Sequence, residues 1–497
     1  MTSQHKTRPK RRPIRWMLKY LTAAALGGIF TVFVVAVYVL NLKQDLSVWH
    51  TEHLDQEFTK ESEVGSFADY LKLEEGLFSQ LQSDVYDQID PEERLPFNRY
   101  NAGSRSDPNS ESQNWNRTFE IVVKQPSAVA VLLHGLSDSP YSLRALADVL
   151  HAQDMHIVGL RVPGHGTAPS GLVHSSWQDM AAAVDIAMNH AARIAGDRPV
   201  IVLGYSHGAA LALNHTMNAI IDKSDAKPDA IVLFSPEIEI TPAAFLAKWQ
   251  GLIGEALGLH KLAWSSVLPE YDPYKYNSFA INAADLSYLI TVENRRLINQ
   301  IIESGEIGAM PPIVAYQSVV DATVSASAVS TGLFEILKPG QHELVWFDLN
   351  RRAKLVGLFR NTPSIDDLFA GDTASHTVRV VTNTAPGSSS VEVRSKLEGQ
   401  AMITRKALSK VWPDDVYSLA HIAIPFAPHD PVYGEGDEQG VKTKLVRLGR
   451  VALHGEKGVL SVPPESLLRQ HWNPFFDYLS EHMVEFINKV TETKKVQ

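Results

Sequence analysis

Three side chains of this sequence could together activate a hydroxyl group. The first is Ser206, in Gly204-Tyr205-Ser206-His207-Gly208. The pentapeptide follows an apolar run over 200–203 and precedes a small-residue helical pattern over 209–213. That order predicts a strand, a very tight turn and a helix. Such a turn lifts a serine hydroxyl to the end of a sheet, beside a helix N-terminus. Glycines flank it because a Cβ there would collide with the neighbouring strand or helix. The five letters alone are a weak signal, and the flanking strand and helix give them specificity.

A serine hydroxyl is a poor nucleophile until a base removes its proton. Histidine does this near neutral pH when a carboxylate orients it. In doubly wound hydrolases the chain order is serine, then an acid, then histidine, so the partners are sought downstream. Asp321 follows the apolar run over 312–315 and is the candidate acid. The competing readings are an N-cap at Asp321, and Glu237, just past the run over 230–234, as the acid. His421 follows the last apolar run, 343–347, but only beyond a long segment; His429 and His376 compete for the same role. The acyl intermediate would also need two N–H groups on its oxyanion. His207, next after the nucleophile, supplies one on this reading. Leu136, in His134-Gly135-Leu136-Ser137, supplies the other, with an ordinary structural turn as the alternative.

The elements that must hold these residues follow from alternating patterns. Short apolar runs over 128–133, 156–160, 200–203, 230–234, 312–315 and 343–347 read as strands. Helical patterns over 139–153 and 177–194 lie between them. Continuous apolar strands separated by helices imply a doubly wound, mainly parallel sheet covered on both faces. Ligands of such sheets gather at the carboxyl ends of the strands, where each motif above falls. Two segments interrupt the alternation. Residues 237–304 carry an apolar helix face (Phe245, Leu246, Trp249, Leu252, Ile253, Ala256, Leu257) and read as a cap. Residues 350–409, with strand-like 377–381 and 391–393, read as an inserted hairpin.

Together, Leu132-Leu133-His134-Gly135-Leu136, Arg161-Val162-Pro163-Gly164-His165-Gly166-Thr167 and Gly204-Tyr205-Ser206-His207-Gly208 resemble the α/β-hydrolase superfamily. They are most similar to its carboxylesterase, monoacylglycerol lipase and lysophospholipase branch, often labelled serine aminopeptidase-like. The resemblance covers about 127–324 and the stretch around His421. It implies Ser206 as nucleophile, Asp321 as acid, His421 as base, and Leu136 and His207 as oxyanion donors. It is specific for fold and only weakly for substrate. The long segment before His421 departs from the family pattern.

Composition bounds the rest. The chain has 497 residues and no cysteine, which excludes thiol catalysis, disulfides and thiolate metal sites. No metal or organic cofactor is implied; His134 and His165 do not stand at metal-ligand spacing. Eight of the 46 Lys and Arg residues precede Asp45, the first acidic residue, so the remainder is more acidic than the net charge of −10. Such a body is a poor partner for nucleic acid. Residues 20–42 hold no charge and, as a helix, would be roughly 34 Å long. They read as a transmembrane anchor, with 1–19 a cytoplasmic basic tail and the catalytic domain outside, periplasmic in a cell with two membranes. Residues 43–115 read as a stalk or N-terminal extension, and 116–490 as the hydrolase domain. The expected function is a membrane-anchored serine hydrolase of carboxylic esters, acyl or lipid-like. The alternatives are an acyltransferase or thioesterase using the same site, or a non-catalytic membrane-tethered binding protein. The sequence sets no oligomeric state.

Overall fold

The computed structural model describes residues 12–496 apart from 43, 241–258, 353–356, 358, 360–363, 371–374, 437–442, 451–461 and 464–467. The chain divides into two units, Met1–Leu46 and Ser47–Gln497. The first holds helix α1, Arg12–Leu42. Among the described residues no helix is long and apolar enough to cross a membrane. The expected single-pass topology, with its cytoplasmic tail and outward catalytic domain, is corrected on that finding. A span needs about 20 predominantly apolar residues in a row. The described side chains of α1 include Lys19, Thr22, Gly27, Gly28 and Thr31 among the apolar ones.

The second unit is built on a ten-stranded sheet. Its strands are β1 (Phe119–Ile121), β2 (Val129–Leu133), β3 (His156–Leu160), β4 (Val200–Tyr205), β5 (Ala230–Phe234), β8 (Ile313–Ser318), β9 (His342–Phe347), β10 (His376–Asn383), β11 (Ser390–Lys396) and β12 (Ile403–Val411). Two short strands outside it, β6 (Trp264–Ser266) and β7 (Phe279–Ala280), pair with each other. The sheet order is β1-β3-β2-β4-β5-β8-β9-β10-β11-β12. From β3 to β10 every pairing is parallel, while β1, β11 and β12 are antiparallel. Strands β2 to β5, β8 and β9 are buried along their whole length. Their mostly apolar text, with polar residues only at the strand ends His156, Gln317-Ser318 and His342-Glu343, is what two covered faces require rather than an alternation. The main helices are α2 (Phe67–Asp84), α3 (Arg144–His151), α4 (Trp177–Ala195), α5 (His207–Asp222), α6 (Ile281–Glu303) and α7 (Phe476–Val496). The expected helix over 139–153 is split: a 3-10 turn, Pro140–Leu143, precedes α3.

Two further regions add detail to their sequence reading. Within residues 43–115, read as a stalk or N-terminal extension, Trp49, Leu54, Leu77, Phe78, Leu81 and Tyr100 share a buried cluster. The same segment supplies charge partners to the body. Arg161, fully buried, donates to both oxygens of Glu57 at 2.9 Å, and Glu74 lies 3.3 Å away. The hairpin expected within 350–409 is β10 and β11, which pair antiparallel. It extends the main sheet, because β10 joins β9 in parallel and β12 adds a third strand. The expected apolar helix face over Phe245–Leu257 lies outside the described residues.

Candidate active site

Ser206 stands between β4 and α5 with φ 53° and ψ −115°, a conformation that L side chains rarely adopt. Packing enforces it. A Cβ on Gly208 would strike the carbonyl oxygens of Leu133 and His134, and one on Gly204 would strike the backbone of Gly208 and Ala209. Helix α5 can therefore press against β2 and β4 only through glycine. The Ser206 N–H donates to Phe234 O at 2.9 Å, which ties the turn to β5.

The loop after β2 is held by its histidine. The N–H of Val162 donates to His134 Nε2 at 3.0 Å, so His134 Nδ1–H donates to Gly135 O at 2.9 Å. Burial pushes the His134 imidazole down to about 3, and the ring is neutral at physiological pH. The motif histidine thus fixes the backbone of the loop that carries Leu136. Among the described residues no protein acceptor takes the N–H of Leu136 or of His207. Both groups stand at the carboxyl end of the sheet, on either side of the Ser206 turn.

Asp321 follows β8 and does two jobs with one carboxylate. Its Oδ1 accepts the N–H groups of Thr323 at 2.8 Å and Val324 at 3.1 Å, the turn-capping role that competed with catalysis in the sequence. Its Oδ2 accepts Nδ1–H of His421 at 2.8 Å and Nε2–H of Gln317 at 2.9 Å. Burial acts to raise the Asp321 carboxyl, but the hydrogen bond and charge of His421, with the two N–H groups, outweigh it and hold it below its usual value. His421 opens a short 3-10 turn, His421–Ala423, and its ring lies 5.5 Å from that of Tyr205.

The long segment before His421 leaves and rejoins the body at one point. Asn350, just past β9, donates its N–H to Tyr417 O and its side-chain amide to Val416 O, both at 2.9 Å. With its ends pinned together, the insertion adds strands without displacing the histidine. The competing residues lie elsewhere. His429 is exposed, and His376 is buried in β10 against Phe334. Glu237 is near the nucleophile but turned toward other partners: its N–H donates to Ser206 O, its Oε2 accepts from Ser287, and its Oε1 lies 3.6 Å from His207 Nδ1.

Ser206, His421, Leu136 and Glu237 line one cavity of about 410 Å³. Sequence reasoning missed most of its walls. Tyr271, Lys275, Tyr276 and Phe279 come from the aromatic stretch after Glu270, and Tyr433 and Arg469 from beyond His421. The density of tyrosines in Tyr271-Asp272-Pro273-Tyr274-Lys275-Tyr276 was the available signal. Among the described residues no group of His, Asp or Glu side chains is arranged to hold a metal ion.

Residues 124–286 match the family model Hydrolase_4, serine aminopeptidase S33. No curated protein matches the chain. Solved structures similar to it include the metagenome-derived lipolytic enzymes LipS and LipT (16% identity, 48% of this chain and 90% of that one, TM-score 0.37). The monoacylglycerol lipase of Paleococcus ferrophilus is 18% identical over 46% of this chain and 88% of its own, with a TM-score of 0.35. A soluble variant of the Saccharomyces cerevisiae monoglyceride lipase is 12% identical over 46% and 81%, with a TM-score of 0.36. Likenesses this loose carry no argument of their own. The family match, on the strand–turn–helix around Ser206, assigns residues 124–286 to a serine aminopeptidase S33-type hydrolase domain.

Proposed function

We propose that this protein hydrolyses carboxylic esters through an acyl-enzyme on Ser206, with His421 as base, Asp321 as its orienting acid, and the N–H groups of Leu136 and His207 on the oxyanion. The observation that carries the reading is the 2.8 Å hydrogen bond from His421 Nδ1 to Asp321 at a cavity that Ser206 also lines. That bond leaves Nε2 of His421 as the nitrogen able to take a proton. In the proposed cycle, Nε2 takes the Ser206 proton as Oγ attacks the carbonyl carbon. The imidazolium, stabilised by Asp321, then gives that proton to the departing alcohol oxygen. Water attacks the acyl-enzyme by the same route and regenerates the serine.

A series of p-nitrophenyl esters of increasing acyl length tests the reading. The expected result is turnover of at least the short members, lost in Ser206→Ala. A wild-type protein that turns over none of them, or a Ser206→Ala variant that keeps the rate, would overturn it.

A further inference from the structure

The cavity's charged side chains are unequally engaged. Lys275 pairs with Asp138 at 3.1 Å. Asp272 accepts the Tyr433 hydroxyl at 2.5 Å and the N–H groups of Tyr274 and Lys275. Asp321, outside the cavity lining, accepts Nδ1–H of His421. Glu237 lies beside the backbone of Ser206 and accepts from Ser287. Arg469 differs from all of these. It is exposed, and among the described residues no carboxylate lies within ion-pair distance of it. Its guanidinium donates to a neutral oxygen, Thr323 Oγ1, at 3.2 Å. A guanidinium has five N–H donors in a fixed fork, so most of that fork is left over.

Its location gives the leftover donors a use. Arg469 lines the catalytic cavity together with His421, Thr323 and Val324, and it also lines a second cavity of about 680 Å³ that His421 shares. The imidazole that receives the serine proton must deliver it to the departing oxygen, so the alcohol part of an ester has to sit on the His421 side. Groups around His421 therefore face the leaving group rather than the acyl group. Nearby His471 lines the same cavity and is held neutral: its burial, then the charges of Arg469 and Lys275, push it down to about 4. At that end Arg469 is a cation without a carboxylate partner among the described residues, in a body that is acidic overall. The overall field is screened within about 8 Å at physiological salt, so the local cation decides what binds there.

We propose that Arg469 anchors an anion subsite on the alcohol side of the pocket, and that the preferred substrate is an ester whose leaving group carries a carboxylate or a phosphate. The inference rests on the ester-hydrolase reading above for its placing of the alcohol. The planar fork suits both anions through paired hydrogen bonds.

Two assays separate the subsite from the reaction. In the first, kcat/KM is measured for 4-acetoxybenzoate and for phenyl acetate, which share an acyl group and differ in the anion on the phenol. The ratio of the two values should fall about tenfold in Arg469→Gln, the size of a hydrogen bond to a charged group, and recover in part in Arg469→Lys. In the second, binding of 4-hydroxybenzoate, phenyl phosphate and phenol to the Ser206→Ala protein is measured by calorimetry, with and without Arg469→Gln. At least one anion should bind more tightly than phenol, lose that advantage with Arg469→Gln, and weaken as salt is added. The tighter of the two anions identifies carboxylate or phosphate. A ratio unchanged in Arg469→Gln, or binding of both anions no tighter than phenol, would overturn the subsite. A wild-type protein that hydrolyses neither ester would instead sink the reaction, and the binding assay would still judge the subsite.

Discussion

The Ser206 side and the His421 side of this site are built by different physics. Around Ser206 the geometry comes from backbone packing within a few residues: a buried strand, two glycines that let a helix close in, and a serine forced to φ 53°. Around His421 nothing is local. His421 and Asp321, the proposed base and acid, are 100 residues apart in the chain and meet through a side-chain hydrogen bond between two turns. Asp321 first has to stiffen its own turn through Thr323 and Val324, and Asn350 has to clamp the insertion's exit to its return. The insertion sits on the His421 side, where loop length costs little once the ends are pinned.

Four perturbations probe that contrast, the first with the largest effect. Asp321→Asn keeps the turn but loses the charge that orients His421, so kcat on a p-nitrophenyl ester should fall about 10⁴-fold with little change in Tm. An equal fall in Tm would mean that Asp321 is chiefly a turn residue. Glu57→Ala strips the buried Arg161 of its bidentate partner and should cost about 3–5 kcal/mol of stability, read by denaturant unfolding. Gly208→Ala drives a methyl group into the Leu133 and His134 carbonyls and should cost on the order of 3 kcal/mol. It should also lower the labelling rate of Ser206, since the turn cannot keep its shape.

The smallest effect is a pH dependence at a buried carboxyl next in sequence to the cavity residue Tyr271. Burial pushes Glu270 up to about 7, against the pull of the Asn277 and Ser278 N–H groups and of Arg99. Its folded pKa is above its unfolded one, so the folded state binds the extra proton. The stability this gives is fully present below the unfolded value and is lost as pH rises through about 7. Between pH 6 and pH 8, Tm should therefore fall more in the wild type than in Glu270→Gln. Parallel slopes would remove Glu270 from the account.

What was legible in the sequence follows the same division. The parallel strands and the Ser206 turn were readable because double burial leaves mostly apolar text and the turn demands glycine. Asp321 and His421 were readable only as one choice each among rivals, since a turn held by side chains leaves no periodic signal. Strand β12 escaped because almost all its residues are exposed and no alternation marks it. The role of Glu57 and Glu74 in the region 43–115 left no sequence signal, because their partner Arg161 lies about 90–100 residues away in the chain. Residues 20–42 were read as a membrane span from the absence of charge, and no helix among the described residues meets that standard.

The central claim is that Ser206 becomes reactive because His421, and no other histidine, takes its proton. The most direct measurement is the rate of covalent labelling by a fluorophosphonate, with the modified peptide mapped, in the wild type, His421→Ala and His429→Ala. The account predicts modification at Ser206, a rate all but abolished by His421→Ala and preserved in His429→Ala. Labelling at wild-type speed without His421, or a label on another residue, would contradict it.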